Sequence, residues 1–213
     1  MRRALLPILI GVIAVTSACG SASKSSSSKS EQPTKLQGIV KSPAPEVGTL
    51  SLPNASDGDQ EFPFTAPPGQ IMLVYFGYTS CPDICPGTLA GVKLALRRLG
   101  PDADKVTIAM ATVDPERDTG PVLVDYLANF FKQKPAQALR TDDPQRLQTV
   151  ADGFGVQYEV VKDANGKVEV GHTALVFAVD DQGRIVDAWP FGMDDQAITD
   201  DLRILLSREA NAA

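Results

Sequence analysis

The chain is poor in the residues that carry metal or electron chemistry: one histidine, three cysteines, one tryptophan and four methionines in 213 residues. Apart from Met1 the methionines stand far apart, at Met72, Met110 and Met193, which excludes a methionine-rich metal arm. There is no glycine-rich loop of the kind that cradles phosphate, no basic tract laced with aromatics and no internal repeat. Acidic residues outnumber basic ones, 26 to 20, and the net charge of −6 argues against nucleic acid or anionic lipid as partner. A long hydrophobic run is missing as well, since the apolar stretch at 4–15 is too short for a comfortable membrane span. Proline is absent from 145–189, which includes the place where a thiol–disulfide enzyme would be expected to need one.

What is present begins at the N-terminus. Arg2 and Arg3, the apolar stretch and Thr16-Ser17-Ala18 form the basic, apolar and small-residue regions of a secretory signal. Cys19 directly after the small residues is expected to be lipidated and to become the mature N-terminus, with residues 1–18 removed. Losing Arg2 and Arg3 moves the net charge from −6 to −8. Residues 19–34 are Ser- and Lys-rich and read as a flexible tether. A domain at 35–213 is then held by Cys19 to the outer face of the cell membrane, outside the cytoplasm. In such a compartment two nearby thiols default to a disulfide.

From residue 71 onward strands and helices alternate. Ile71-Met72-Leu73-Val74-Tyr75-Phe76 is a buried strand, and Leu89, Val92, Leu94, Ala95, Leu96 and Leu99 give the following helix an inner face. A second buried strand covers 106–113. A helix through Leu123, Leu127 and Phe131 follows, capped by Asp118 or Thr119. A third helix spans 144–154. Asn165-Gly166 and Asp180-Asp181-Gln182-Gly183 turn two hairpins, and an amphipathic helix from Asp195 closes the chain. The segment 36–68 reads as short strands or a hairpin packed on the domain. This order predicts an α/β, thioredoxin-like fold, a central mixed sheet flanked by helices with an N-terminal extension.

Chemistry concentrates at Gly77-Tyr78-Thr79-Ser80-Cys81-Pro82-Asp83-Ile84-Cys85-Pro86, where the first buried strand becomes a helix. The i,i+4 spacing puts both sulfurs on one side, and the helix N-terminus favours thiolate. Three readings compete: structural disulfide, thiol–disulfide oxidoreductase and metal site. A crosslink over so short a loop removes little chain entropy. Oxidoreductases of this fold usually have two residues between the cysteines and a proline before the late strand; here there are three residues, and Gly171-His172-Thr173 replaces the proline. His172 is expected to open the late strand 174–179, beside the cysteine turn. Two thiolates and one imidazole suit Cu(I), tolerate Cu(II) and fall one ligand short of a closed zinc site. Asp114 to Asp118 reads chiefly as a structural loop, with a supporting role near the cysteines as the alternative. Trp189-Pro190-Phe191 reads as core.

The motif at 77–86, Val-Asp-Pro-Glu-Arg-Asp-Thr at 113–119 and His-Thr at 172–173 resemble the Sco/SenC family. That resemblance implies a membrane-tethered, thioredoxin-like copper chaperone, a monomer, serving the copper-bearing subunit of cytochrome c oxidase and its binuclear copper centre. It implies Cys81, Cys85 and His172 as copper ligands. The alternative is a reductase in which Cys81 and Cys85 are a redox-active pair that keeps the recipient's cysteines reduced. One departure stands out: the family commonly has Asp before the histidine where this chain has Gly171, with Asp83 a candidate to replace it.

Overall fold

A computed structural model of the protein describes residues 34–212. Nine strands and four α-helices are formed by these residues. β1 (Ser51–Asn54) and β2 (Gln60–Pro63) form a hairpin, followed by β3 (Ile71–Gly77), α1 (Ile84–Leu99), β4 (Val106–Thr112) and α2 (Gly120–Ala128). Then come β5 (Gln137–Leu139), α3 (Pro144–Phe154), β6 (Tyr158–Lys162), β7 (Val168–His172), β8 (Leu175–Val179), β9 (Ile185–Pro190) and α4 (Asp195–Ala212).

The main sheet runs β2-β1-β5-β4-β3-β8-β9, and β6 with β7 makes a separate ribbon. β3 is central: parallel to β4 through α1 on one edge, antiparallel to β8 on the other. All seven of its residues are buried, as an apolar run with both faces covered requires. Successive residues of a strand face opposite ways. Phe76 and its cross-strand neighbour Phe177 therefore meet Phe154 of α3, at ring-centroid distances of 5.1 and 5.3 Å, while Tyr75 faces α1. α1 in turn packs on α4, where Thr199 Oγ1 donates to the Ala95 carbonyl at 3.2 Å. This is the expected mixed sheet with helices on both faces, and the fold is thioredoxin-like.

Local chemistry explains the borders. Asp143 caps α3, accepting from the backbone N–H of Gln145 and Arg146. Pro144 occupies the first turn and Gly155 closes the helix at φ +72°. The N-terminal strap is pinned to α4: the N–H groups of Gln37 and Gly38 donate to the Asp201 carboxylate, which also accepts from Trp189 Nε1 at 2.9 Å.

Several expectations need correction. The hairpin of 36–68 is part of the main sheet, joined through Asn54 to Leu139 of β5, a three-residue strand too short to show a periodicity. Leu94 points outward at 45% exposure, because it lies off the stripe of Leu89, Val92, Leu96 and Leu99. The Thr119 side chain makes no cap to α2, and Asp118 turns away from that helix altogether. Trp189 is core, whereas Phe191 of the same cluster is 49% exposed. Residues 1–18 and Cys19, with the expected signal and lipidation, lie outside the described residues.

Candidate metal centre

β3 ends at Gly77 and the chain turns through Thr79, Ser80 and Cys81 before α1 begins. The turn is tied to the loop after β4. Asp118, fully buried, accepts from the Thr79 N–H at 3.0 Å, from Thr79 Oγ1 at 2.5 Å and from Thr112 Oγ1 at 2.6 Å. Arg117 pairs with the buried Asp114 carboxylate and lies 5.8 Å from the centre of the Tyr78 ring. The acid-rich loop thus supports the cysteine turn, the alternative role named for it. The cap expected of Asp118 does not form.

Cys81 and Cys85 are both buried free thiols. At the start of α1 the Cys85 N–H donates to Cys81 Sγ at 3.2 Å, an unsatisfied helix donor meeting a sulfur. Cys85 itself fares differently. Burial pushes its thiol up to about 12, partly offset by Tyr75 and by the Tyr78 backbone. The expected thiolate preference of the helix terminus therefore fails at Cys85, where desolvation outweighs the dipole.

His172 ends β7 instead of opening the late strand. The ribbon continues past it, Thr173 N–H donating to the Gln157 carbonyl at 2.9 Å, and β8 starts at Leu175. Its placement beside the cysteines is as expected, because β8 pairs with β3. Nε2 lies 3.4 Å from Cys85 Sγ. Nδ1 lies 3.1 Å from the Thr173 carbonyl oxygen, so a proton on Nδ1 leaves the Nε2 lone pair facing the sulfur. The tyrosine rings 75 and 78 stand edge-on to the imidazole, at 5.9 and 5.8 Å, and the Tyr78 hydroxyl donates to the Val170 carbonyl at 3.4 Å. Burial lowers the imidazole's pKa, against the Thr173 carbonyl, which raises it, and so keeps the ring neutral and able to ligate. No contact joins Asp83 to His172 among the described hydrogen bonds. The orienting group is the Thr173 backbone, and Gly171 has open space around it.

The donor atoms of Cys81, Cys85 and His172 all lie within 4.8 Å of one another. Sulfur and nitrogen donors on one metal ion, at about 2.3 and 2.0 Å, stand about 3.5–3.7 Å apart at tetrahedral to trigonal angles. The 3.4 Å between Cys85 Sγ and His172 Nε2 is close to that separation. The imidazole borders an open cleft of about 650 Å³ lined by Gln157, Tyr158, Glu159, Gly171, His172 and Thr173. A second cleft of similar volume between Lys93 and Lys134 contains none of the three donors. Size alone does not single out the site; donor chemistry does.

Residues 53–207 match the family model described as SCO1/SenC. The SCO2-like protein of Rickettsia prowazekii is 34% identical over 54% of this chain and 56% of its own length. The chain spans roughly half to two thirds of the length of the first curated relatives it matches. Among solved structures, Bradyrhizobium japonicum ScoI with copper bound superposes with a TM-score of 0.62 at 31% identity, over 72% of this chain and 95% of that one. Apo Sco1 of Thermus thermophilus gives 0.68 at 28% identity, over 80% and 97%. Among the described residues no helix is long and apolar enough to cross a membrane.

Proposed function

The chain belongs to the SCO1/SenC family, and from that premise we propose that it is a copper metallochaperone, carrying one copper ion on Cys81, Cys85 and His172. The observation that carries this reading is the convergence of two free thiols and one correctly oriented imidazole within 4.8 Å. Disulfide exchange needs no imidazole at that point, whereas His172 Nε2 lies 3.4 Å from Cys85 Sγ. Soft sulfur donors with one nitrogen suit Cu(I) and accept Cu(II). Related proteins support the cargo: the ScoI structure from Bradyrhizobium japonicum, 31% identical, is described with copper bound.

In this reading the protein is tethered outside the cytoplasm through a lipid on Cys19. It passes its ion to the copper-bearing subunit of cytochrome c oxidase, at the binuclear centre. Three ligands rather than four leave room for an incoming thiolate, so ligand exchange proceeds without releasing free ion. Thiolates of the recipient replace Cys81 and Cys85 in turn, each departing sulfur taking up a proton.

The test is a copper titration of the reduced protein with visible spectra of the Cu(II) form. One ion per chain is expected, with sulfur-to-copper charge-transfer bands that vanish in Cys81→Ala and Cys85→Ala. Binding by His172→Ala should weaken strongly. Turnover of a model disulfide that is indifferent to His172→Ala, with no copper bands, would replace this reading by a reductase.

A further inference from the structure

Tyr75 touches both ends of the ligand set. It is 2% exposed in the middle of the sheet, and its hydroxyl is buried with no hydrogen-bond partner. Its ring stands edge-on to His172. Its hydroxylated edge approaches Cys85: the point that a Cβ on Gly77 would occupy is 2.6 Å from Tyr75 Cε1 and 3.1 Å from Cys85 Sγ. Thr88, also close to the hydroxyl, commits its own proton to the Ile84 carbonyl at 2.8 Å. Burial, with further contributions from Cys85, holds Tyr75 as a neutral phenol, and its neighbouring acceptors, the Cys85 sulfur and the Thr88 oxygen, are not met in hydrogen-bond geometry. Such an orphan is costly, and a thiol is too weak an acceptor to relieve it.

Loading the site changes the acceptor, because a ligating cysteine is a thiolate. We propose that Tyr75 is a positioning residue whose phenolic O–H donates to the Cys85 sulfur when that sulfur holds the cargo metal. The inference rests on the copper reading of Cys81, Cys85 and His172 given above. The bond costs the metal-free protein an unmet donor and gives the loaded protein a charge-assisted one, so it favours loading. It also draws electron density from the sulfur, which raises the energy of sulfur-to-copper charge transfer.

Tyr75→Phe in the full-length chain tests this, because it keeps the ring and removes the oxygen. Removing a buried hydroxyl that has no partner should leave the melting temperature of the metal-free protein unchanged or higher. With Cu(II) bound, the charge-transfer band should move to longer wavelength, and copper affinity should fall about tenfold, the lower end of effects from groups behind metal ligands. Tyr126→Phe removes another buried, unpartnered hydroxyl and should leave the band in place. A band and affinity unchanged in Tyr75→Phe would overturn the inference while leaving the copper reading intact. Wild-type protein without any cysteine-dependent copper band would overturn both.

Discussion

Replacing Asp118 by alanine separates a helix cap from a brace for the metal turn. A lost cap costs about 1 kcal/mol and leaves a distant site untouched. The structure requires much more. Asp118 is fully buried and takes three hydrogen bonds, from the Thr79 N–H, the Thr79 hydroxyl and the Thr112 hydroxyl. Bonds to an ionised acceptor contribute about 1.5–3 kcal/mol each, but they share one carboxylate and the hydroxyls can rotate to other acceptors. The Thr79 N–H, half-buried, has no such freedom and loses its partner. The expected net loss is about 3–5 kcal/mol, a large fraction of the roughly 5–15 kcal/mol that holds a domain together. Urea unfolding of the metal-free protein at neutral pH measures it. Because Thr79 stands two residues before Cys81, copper affinity should also drop about 10–100-fold. Asp118→Asn keeps one acceptor and should fall between. A loss under about 1 kcal/mol with unchanged copper affinity would refute the bracing argument and restore the cap.

Other outcomes follow from the same geometry. Gly77→Ala places a methyl 2.6 Å from a rigid tyrosine ring and 3.1 Å from Cys85 Sγ, so a loss of about 1–3 kcal/mol is expected in thermal unfolding, together with weaker copper binding. Cys85, with its pKa near 12, keeps its proton at pH 6–8 until metal displaces it, while His172 is already neutral over most of that range. Copper affinity should therefore rise at least about tenfold per pH unit in a competition titration, and a flat profile would sink the thiolate-ligand reading. Burial, with Asp201 beside it, raises the Asp187 carboxyl from its ordinary 3.8 to about 7. The folded state thus binds a proton that the unfolded state releases. Its stabilising share is complete below about pH 4 and is lost as pH rises through 7, by up to a few kcal/mol. Asp187→Asn should flatten that slope in urea unfolding across pH 4–7.

Much of the fold was legible because its signals are local. β3 and β4 are unbroken apolar runs, Asn165-Gly166 and Asp180–Gly183 are turns with a backbone reason, and Pro144 after Asp143 starts a helix. β5 was not legible: three residues carry no period, and what makes Gln137–Leu139 a strand is the pairing offered by Ala109 to Ala111 on one side and Asn54 on the other. Leu94 misled for a related reason. An apolar residue one position off the stripe looks like its neighbours in the sequence, and only packing against α4 decides which of them is inside.

The site divides along the same line. Which residues would meet could be read, because a strand-to-helix turn and the start of a late neighbouring strand share one end of this sheet. How they are held could not. Asp118 reads as a cap because caps are local, yet its partners are Thr79, 39 residues away, and Thr112 on another strand. Asp83 was the candidate to stand in for the family's Asp beside His172, and the ribbon turns its own Thr173 carbonyl to the ring instead, at no cost in side chains. The thiolate expectation at Cys85 went wrong because it counted the helix terminus and not the sheet packed over it. Depth of burial is a property of the assembled molecule, and at Cys85 it reverses the sign that the local motif suggests: the sulfur that the helix terminus was expected to leave charged remains protonated until something stronger than a dipole arrives to take the proton's place.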